Sequence, residues 1–370
     1  MDTFDVVIIG GGTAGTMLAR ELGKFKRKTL ILDRKDNLLD FTFNTLGSFI
    51  DLNDFGLTKN VVAQEIDSVV FHSKNIKKVV KSDNTFVLDK TKVHEELIGN
   101  FDDDYITVMT GIHVNCILKD KNGHYTCAID KSKNEYHGKV IVDASGTNGV
   151  ISKEVGLREK KVKLATGVEY NVKYLGNPRE VHLLMGKVYQ GGYGWIFPLQ
   201  KNRAIIGFGS FNDQVVKKLK LRLNEILELP LIKKLVIKDN DKVEGGSIPL
   251  TPVLDKFVLH NLVCVGDSVS QVNPVVGEGY KFIFEAAIMA SKAINKALEN
   301  DNMSYLSEYE SEWKNRFLAN YKRSKSSQEK LFKYSNNDYL MDMALVLLKL
   351  RSDKRILRSL SGEHGYEKVI

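Results

Sequence analysis

The stretch Phe4-Asp5-Val6-Val7-Ile8-Ile9-Gly10-Gly11-Gly12-Thr13-Ala14-Gly15 decides the fold. Its apolar first half suits a central parallel strand, and the run on to about Gly23 reads as a helix. Thr29-Leu30-Ile31-Leu32 reads as a second strand, ending in Asp33-Arg34 with the acid 18 residues past Gly15. In such a strand–turn–helix–strand unit, Gly10 permits the tight turn, Gly12 lets the backbone approach a pyrophosphate, and Gly15 lets helix and strand pack closely. The helix start at Thr13-Ala14 aims free N–H groups and its positive end at the phosphates. Asp33 would accept from a ribose hydroxyl, which favours FAD or NAD over a 2′-phosphorylated nucleotide, and Arg34 is grouped with it as a cofactor contact.

A second unit chooses between the two dinucleotides. Asn261 to Val265 is another apolar strand, closing in Gly266-Asp267, and Pro274-Val275-Val276-Gly277-Glu278-Gly279 then leads into an Ala-rich helix. A carboxylate at Asp267 suits the hydroxyls of an extended ligand. The loop at Pro274, Gly277, Glu278 and Gly279 places N–H groups against a ring system. Two helix starts, one for each end of an elongated ligand, fit FAD better than NAD.

With these residues in hand, the chain resembles the FAD-dependent oxidoreductases related to geranylgeranyl reductases, within the wider p-hydroxybenzoate-hydroxylase-like flavoprotein group. Leu88-Asp89-Lys90-Thr91-Lys92 is similar to the family's Asp-Arg element, with Lys90 where an arginine meets the FAD phosphates. Asp143-Ala144-Ser145-Gly146 resembles its middle signature. Tyr193-Gly194-Trp195-Ile196-Phe197-Pro198, followed by Gly207 and Gly209, resembles the reductases' Y-x-W-x-F-P-x8-G-x-G pattern, and Gly245-Gly246-Ser247-Ile248-Pro249 is similar to a further element. The matches run in order from Asp5 to about Ala293.

There are departures too. Phe43-Asn44-Thr45-Leu46-Gly47 stands where many lipid reductases carry Cys-Gly, and Glu278 stands where they often have glycine. The opening glycines also look like those of flavin-dependent halogenases, whose W-x-W-x-I-P differs here at Tyr193 and Phe197.

The resemblance implies reduction of carbon–carbon double bonds in an isoprenoid or other apolar substrate by hydride from flavin N5, with Gly277 to Gly279 stabilising the reduced flavin through their N–H groups. A monooxygenase or halogenase is the alternative within the same fold, and a non-catalytic FAD-containing binding protein is the third reading. Only one glycine fingerprint is complete, so electrons are expected from docked NAD(P)H or a ferredoxin-like protein. Tyr193, Trp195 and Phe197 share one face of a strand. That face is either ordinary sheet packing or an apolar wall over the flavin, with the Tyr193 hydroxyl as an orienting group or proton donor.

The expected fold is α/β. A Rossmann-like FAD-binding domain with a parallel sheet spans 1–160, including a strand meander over 105–143 with a turn at Lys121-Asn122-Gly123. An antiparallel-sheet substrate domain spans 161–255, the FAD domain returns over 256–300, and basic C-terminal helices fill 301–370.

Composition bounds the rest. The 370 residues are 43% apolar with 6 Pro, which gives ordinary globular material of two or three lobes. Strand-like residues start at Phe4 and leave no room for a signal peptide, so the cytoplasm is expected. Cys116, Cys127 and Cys264 are expected to be buried thiols, and no spacing of histidines supports a metal site. Between Ser311 and Leu360 there are twelve basic residues against five acidic ones, a net +7 out of +8 for the chain. Such a tail, carrying Trp313, Phe317, Leu318, Leu331 and Phe332, either packs its apolar side on the body or lies on an anionic membrane. It lacks interleaved base-stacking sites, so nucleic acid is not expected.

Overall fold

The structure is a computed structural model that describes residues 3–363. Residues 1–2 of the first expected segment and 364–370 of the last lie outside the described residues. Two sheets organise the chain. In the first, Leu262–Cys264, Glu135–Asp143, Thr3–Ile9, Thr29–Leu32 and Ile106–Met109 lie side by side in that order, all parallel. Val6 to Ile9 are covered on both faces, which is why this strand is an unbroken apolar run. The helix Thr13–Lys24 packs against the long helix Tyr280–Glu299, so the chain's return to this sheet is built into its core. Val114–Lys119 and Tyr125–Asp130 extend the sheet as an antiparallel meander. At the expected turn, Gly123 takes a positive φ while the Asp120 carboxylate accepts from the N–H groups of Asn122 and His124.

Among the described residues the second sheet has nine strands. Val243–Pro249 and Arg203–Ser210 flank Leu164–Tyr174, and Gly192–Leu199 and Glu180–Leu184 follow. Beyond them lie three strands from much earlier in the chain, Val62–His72, Lys77–Asp89 and Thr45–Ser48. The sheet is therefore mixed rather than antiparallel throughout, because Glu180–Leu184 pairs in parallel with Val62–His72. A division at residue 160 also does not separate the two sheets, since residues 45–89 belong largely to the second.

The tail is helical, as expected. Trp313, Phe317 and Tyr321 are buried around Phe257 and Phe282 and so serve the core. Cys127 and Cys264 are buried thiols, whereas Cys116 is only half-buried. Among the described residues no helix is long and apolar enough to cross a membrane.

Candidate functional site

A cavity of about 270 Å³ lies against the second sheet, and the starts of the helices Thr13–Lys24 and Tyr280–Glu299 line it. Thr13 lines it from one side, and Val276, Gly277, Glu278, Gly279 and Tyr280 from another. The N-cap positions of these helices are Gly12 and Gly279, and no side chain caps the first of the two ends. Gly12 is also open, for a Cβ added there would meet no atom within 4 Å. Gly266 lies against Ala14, where an added Cβ would stand 2.9 Å from the alanine Cβ, so Asp267 is held beside the start of the first helix.

The second sheet supplies an aromatic wall. Trp195 pairs across the strands with Gly207, and a Cβ on that glycine would stand 2.2 Å from the indole. Cβ atoms on Gly167 and Gly209 would also crowd the ring, at 2.9 and 3.3 Å. The glycines thus let Trp195 lie flat on the sheet, which gives the W-x-F-P and G-x-G spacing a physical reason. Phe197 stacks beside Trp195, with centroids 6.2 Å apart, and covers Gly47. Tyr193, Trp195 and Phe197 all line the cavity, while Ile196 is buried on the opposite face. The Tyr193 hydroxyl donates to the carbonyl of Val276 at 2.5 Å, tying this strand to the loop before the second helix.

Charged groups gather around this apolar space. Burial pushes Glu169 and Glu278 up to about 7 and Asp267 up to about 6, and it pushes Lys90 down to about 8. Lys90 sits over the rings of Phe41 and Phe43 and opposes Asp267 electrostatically. Glu278 accepts from Ser48 at 3.2 Å and from the N–H of Tyr280 at 3.0 Å, so its carboxyl occupies part of the second helix start. The N–H of Gly277 donates to Asn273, which leaves less of the Gly277–Gly279 backbone for a ring than the sequence implied.

Not every expected contact reaches the cavity. Gly10, Gly12, Ala14, Gly15, Asp33, Arg34, Gly146 and Pro274 do not line it. Gly10 takes a φ of +106° against Ala144, and both Asp33 oxygens accept backbone N–H groups, from Gly11 at 2.7 Å and Lys35 at 2.8 Å. Arg34 is exposed beside it, and Gly146 takes a positive φ in the loop after Asp143.

Three further residues of the site carry no motif in the sequence. Glu169 lines the cavity and holds the Trp195 indole at 3.1 Å, leaving its Oε1 buried without a partner. His94 lies buried 3.5 Å from the Thr13 hydroxyl, and burial holds it down to about 3. Arg158 is buried near Asp267 with Nε and Nη2 unpartnered. Two orphaned guanidinium nitrogens, an open Gly12 and an uncapped first helix start are what an anionic, elongated ligand would satisfy, so the residues fit FAD.

A family model described as lycopene cyclase protein matches residues 5–357. The chain belongs to the lycopene cyclase protein family. Within it, the resemblance to geranylgeranyl reductases is borne out. The digeranylgeranylglycerophospholipid reductase of Methanococcus aeolicus is 26% identical over 330 residues, covering 85% of this chain and 83% of that protein. A geranylgeranyl bacteriochlorophyll reductase-like protein from Thermoplasma acidophilum has the same fold, with a TM-score of 0.86 at 20% identity over 98% of this chain and 97% of that one. The flavin-dependent brominase Bmp2 matches at a TM-score of 0.73 and 17% identity, over 98% of this family member and 94% of the brominase.

Proposed function

We propose that this protein is an FAD-dependent oxidoreductase that reduces carbon–carbon double bonds in the isoprenoid chains of a lipid. One observation carries the reading: a single cavity is lined both by the uncapped start of the first helix and by the Val276–Tyr280 loop, and is walled by Trp195 and Phe197. Relatives named as reductases of geranylgeranyl lipids support the substrate class.

Bound and reduced, FAD supplies hydride. The chain's residues supply position. Gly12, Thr13, Lys90 and Arg158 would hold the diphosphate and Asp33 and Asp267 the sugar hydroxyls, and the loop from Pro274 to Gly279 would hold the ring. Trp195 and Phe197 offer a flat apolar surface that orients an alkene and excludes water, which a reaction between poorly polarised partners needs. Tyr193 positions the ring-side loop through Val276.

Anaerobic, dithionite-reduced holoprotein mixed with a geranylgeranyl glycerophospholipid tests this. Flavin reoxidation together with a product gaining two hydrogens per double bond is expected. Reoxidation only in the presence of oxygen, or a flavin that does not bleach, would overturn it in favour of a monooxygenase or a structural flavin. Supplying NAD(P)H or a reduced ferredoxin to the oxidised holoprotein would then identify the donor.

A further inference from the structure

Among the described residues, one side of the helix Asp338–Lys349 covers nothing. Tyr339, Leu340, Met343, Val346, Leu347 and Leu350 are all exposed, Tyr339 at 70%, Leu347 at 60% and Leu350 at 82%. At about 100° per residue these six positions fall within roughly 120° of the helix circumference. The opposite side holds Met341 and Leu345, both buried.

The acids of this segment all turn inward. Asp338 accepts from the N–H of Lys187 at 2.8 Å and pairs with Lys74. Asp342 accepts from Ser73 and from Asn75, and Asp353 accepts from Lys78 and from the N–H of Lys81. Lys333, Lys349, Arg351, Lys354 and Arg355 are exposed. Between residues 333 and 355 the outer surface is therefore apolar and cationic.

The helix that carries this face starts close to the cavity. Phe332, on the preceding helix Ala319–Tyr334, lines the cavity and packs edge-on against Phe211 at 4.4 Å. Ser335 accepts from the N–H of Gly191, another lining residue, and the exposed helix starts three residues later.

We propose that this face seats the protein on an anionic lipid bilayer, with the leucines in the interfacial zone and the flanking lysines and arginines against headgroup phosphates. An apolar stripe bordered by cations and cleared of acids complements such a surface in both polarity and charge. A helix of 12 residues is about 18 Å long and would lie in the plane of the membrane. The cavity end marked by Phe332 would then adjoin the lipid. The proposal goes beyond the reductase reading and does not depend on it.

Co-sedimentation of the holoprotein with vesicles tests it without turnover. Wild type is expected to bind mixed phosphatidylglycerol–phosphatidylcholine vesicles, to lose binding as salt is raised, and to bind phosphatidylcholine alone weakly. L347E/L350E, two changes at solvent-facing positions, is expected to keep the wild-type melting temperature and weaken vesicle binding by about tenfold or more. K349Q/R351Q/K354Q leaves the apolar stripe intact and is expected to reduce the preference for phosphatidylglycerol. Unchanged binding by both variants, or no vesicle binding by wild type, would overturn the proposal. So would a wild-type dimer that L347E/L350E dissociates in the absence of any vesicle binding, which would make the face a contact between two copies. A wild type that binds vesicles but reduces no lipid would sink the reductase reading and leave this one standing.

Discussion

Trp195 donates its indole N–H to the buried Glu169 at 3.1 Å, so the aromatic wall of the cavity is fixed in place by a carboxyl that burial pushes up to about 7. The Trp195 bond and Lys90 pull that value down, Glu244 pushes it further up, and desolvation outweighs them all.

A sign follows for stability. Because the folded chain holds a proton on Glu169 that the unfolded chain releases near 4.5, this group's contribution is fully present at low pH and is lost as pH rises through about 7. E169Q removes the titration. Its stability relative to wild type should rise by up to about 1.4 kcal/mol per pH unit between those two values and stay level outside them. Denaturant midpoints of the ligand-free proteins from about pH 4 to 8 measure the difference. A level difference throughout would mean that Glu169 titrates as an ordinary carboxylate.

Two glycines three residues apart should behave oppositely. A Cβ at Gly15 would stand 1.9 Å from the carbonyl oxygen of Gly10, whereas one at Gly12 has open space. G15A should therefore destabilise the first sheet by several kcal/mol, in the range of overpacked cores, and express poorly. G12V should fold with a melting temperature near that of the ligand-free wild type but bind FAD at least about tenfold more weakly, since its side chain occupies the approach to the helix start. Thermal melts and flavin fluorescence titrations separate the two. A G12V protein as yellow as wild type would remove the diphosphate from this turn.

Arg158 offers a test that does not rely on lost folding. With Nε and Nη2 buried and unpartnered, its guanidinium is a burden on the ligand-free protein. R158M should leave ligand-free stability unchanged or slightly higher. The gain in melting temperature on adding FAD should shrink, because that gain depends on the affinity of the folded state alone. An equal FAD-induced shift in both proteins would place the anionic ligand elsewhere.

What the sequence disclosed was whatever depends on neighbours in the chain. The Val6–Ile9 run, the glycine turn and Asp33 lie within thirty residues, and the Asn-Gly turn lies within three. The strands Val62–His72 and Lys77–Asp89 were hidden because register shifts at Val62/Gln64 and Ile66/Ser68 break the two-residue alternation by which a strand is read. Glu169 and Arg158 carry no motif; each acquires its meaning from partners that only folding brings close. The aromatic motif was visible as spacing, yet its cause, an indole laid over glycines of neighbouring strands, is a cross-strand fact. The basic tail was legible as charge, but which of its apolar residues would be needed by the core was not.

A chain of hydrogen bonds between buried rings lies away from the cavity. His72 Nε2 lies 3.1 Å from His182 Nδ1, His182 Nε2 lies 2.9 Å from the Tyr174 hydroxyl, and that hydroxyl donates to the carbonyl of Asn177. Counting protons allows one assignment: since Tyr174 gives its only proton to Asn177, it must accept from His182 Nε2, which leaves Nδ1 to accept from His72. The order holds only while His182 is neutral, because a protonated ring would present a second N–H to His72. Burial accordingly holds His72 down to about 4 and His182 down to about 3, against 6.5 for a free ring. Between about 6.5 and 4 the unfolded chain binds protons that the folded chain refuses, so this contribution to stability is full above that window and is lost as pH falls through it. Replacing His182 by Leu should cost about 1–3 kcal/mol at neutral pH by leaving its partners unsatisfied. The deficit relative to wild type should narrow by up to about 1.4 kcal/mol per pH unit on acidification through the same window. Because buried carboxyls such as Glu169 slope the other way over part of this range, the quantity to follow is the difference between the two proteins in denaturant midpoint. A gap that stays constant from neutral pH down to about 4 would show that the His182 ring titrates as freely as one in water.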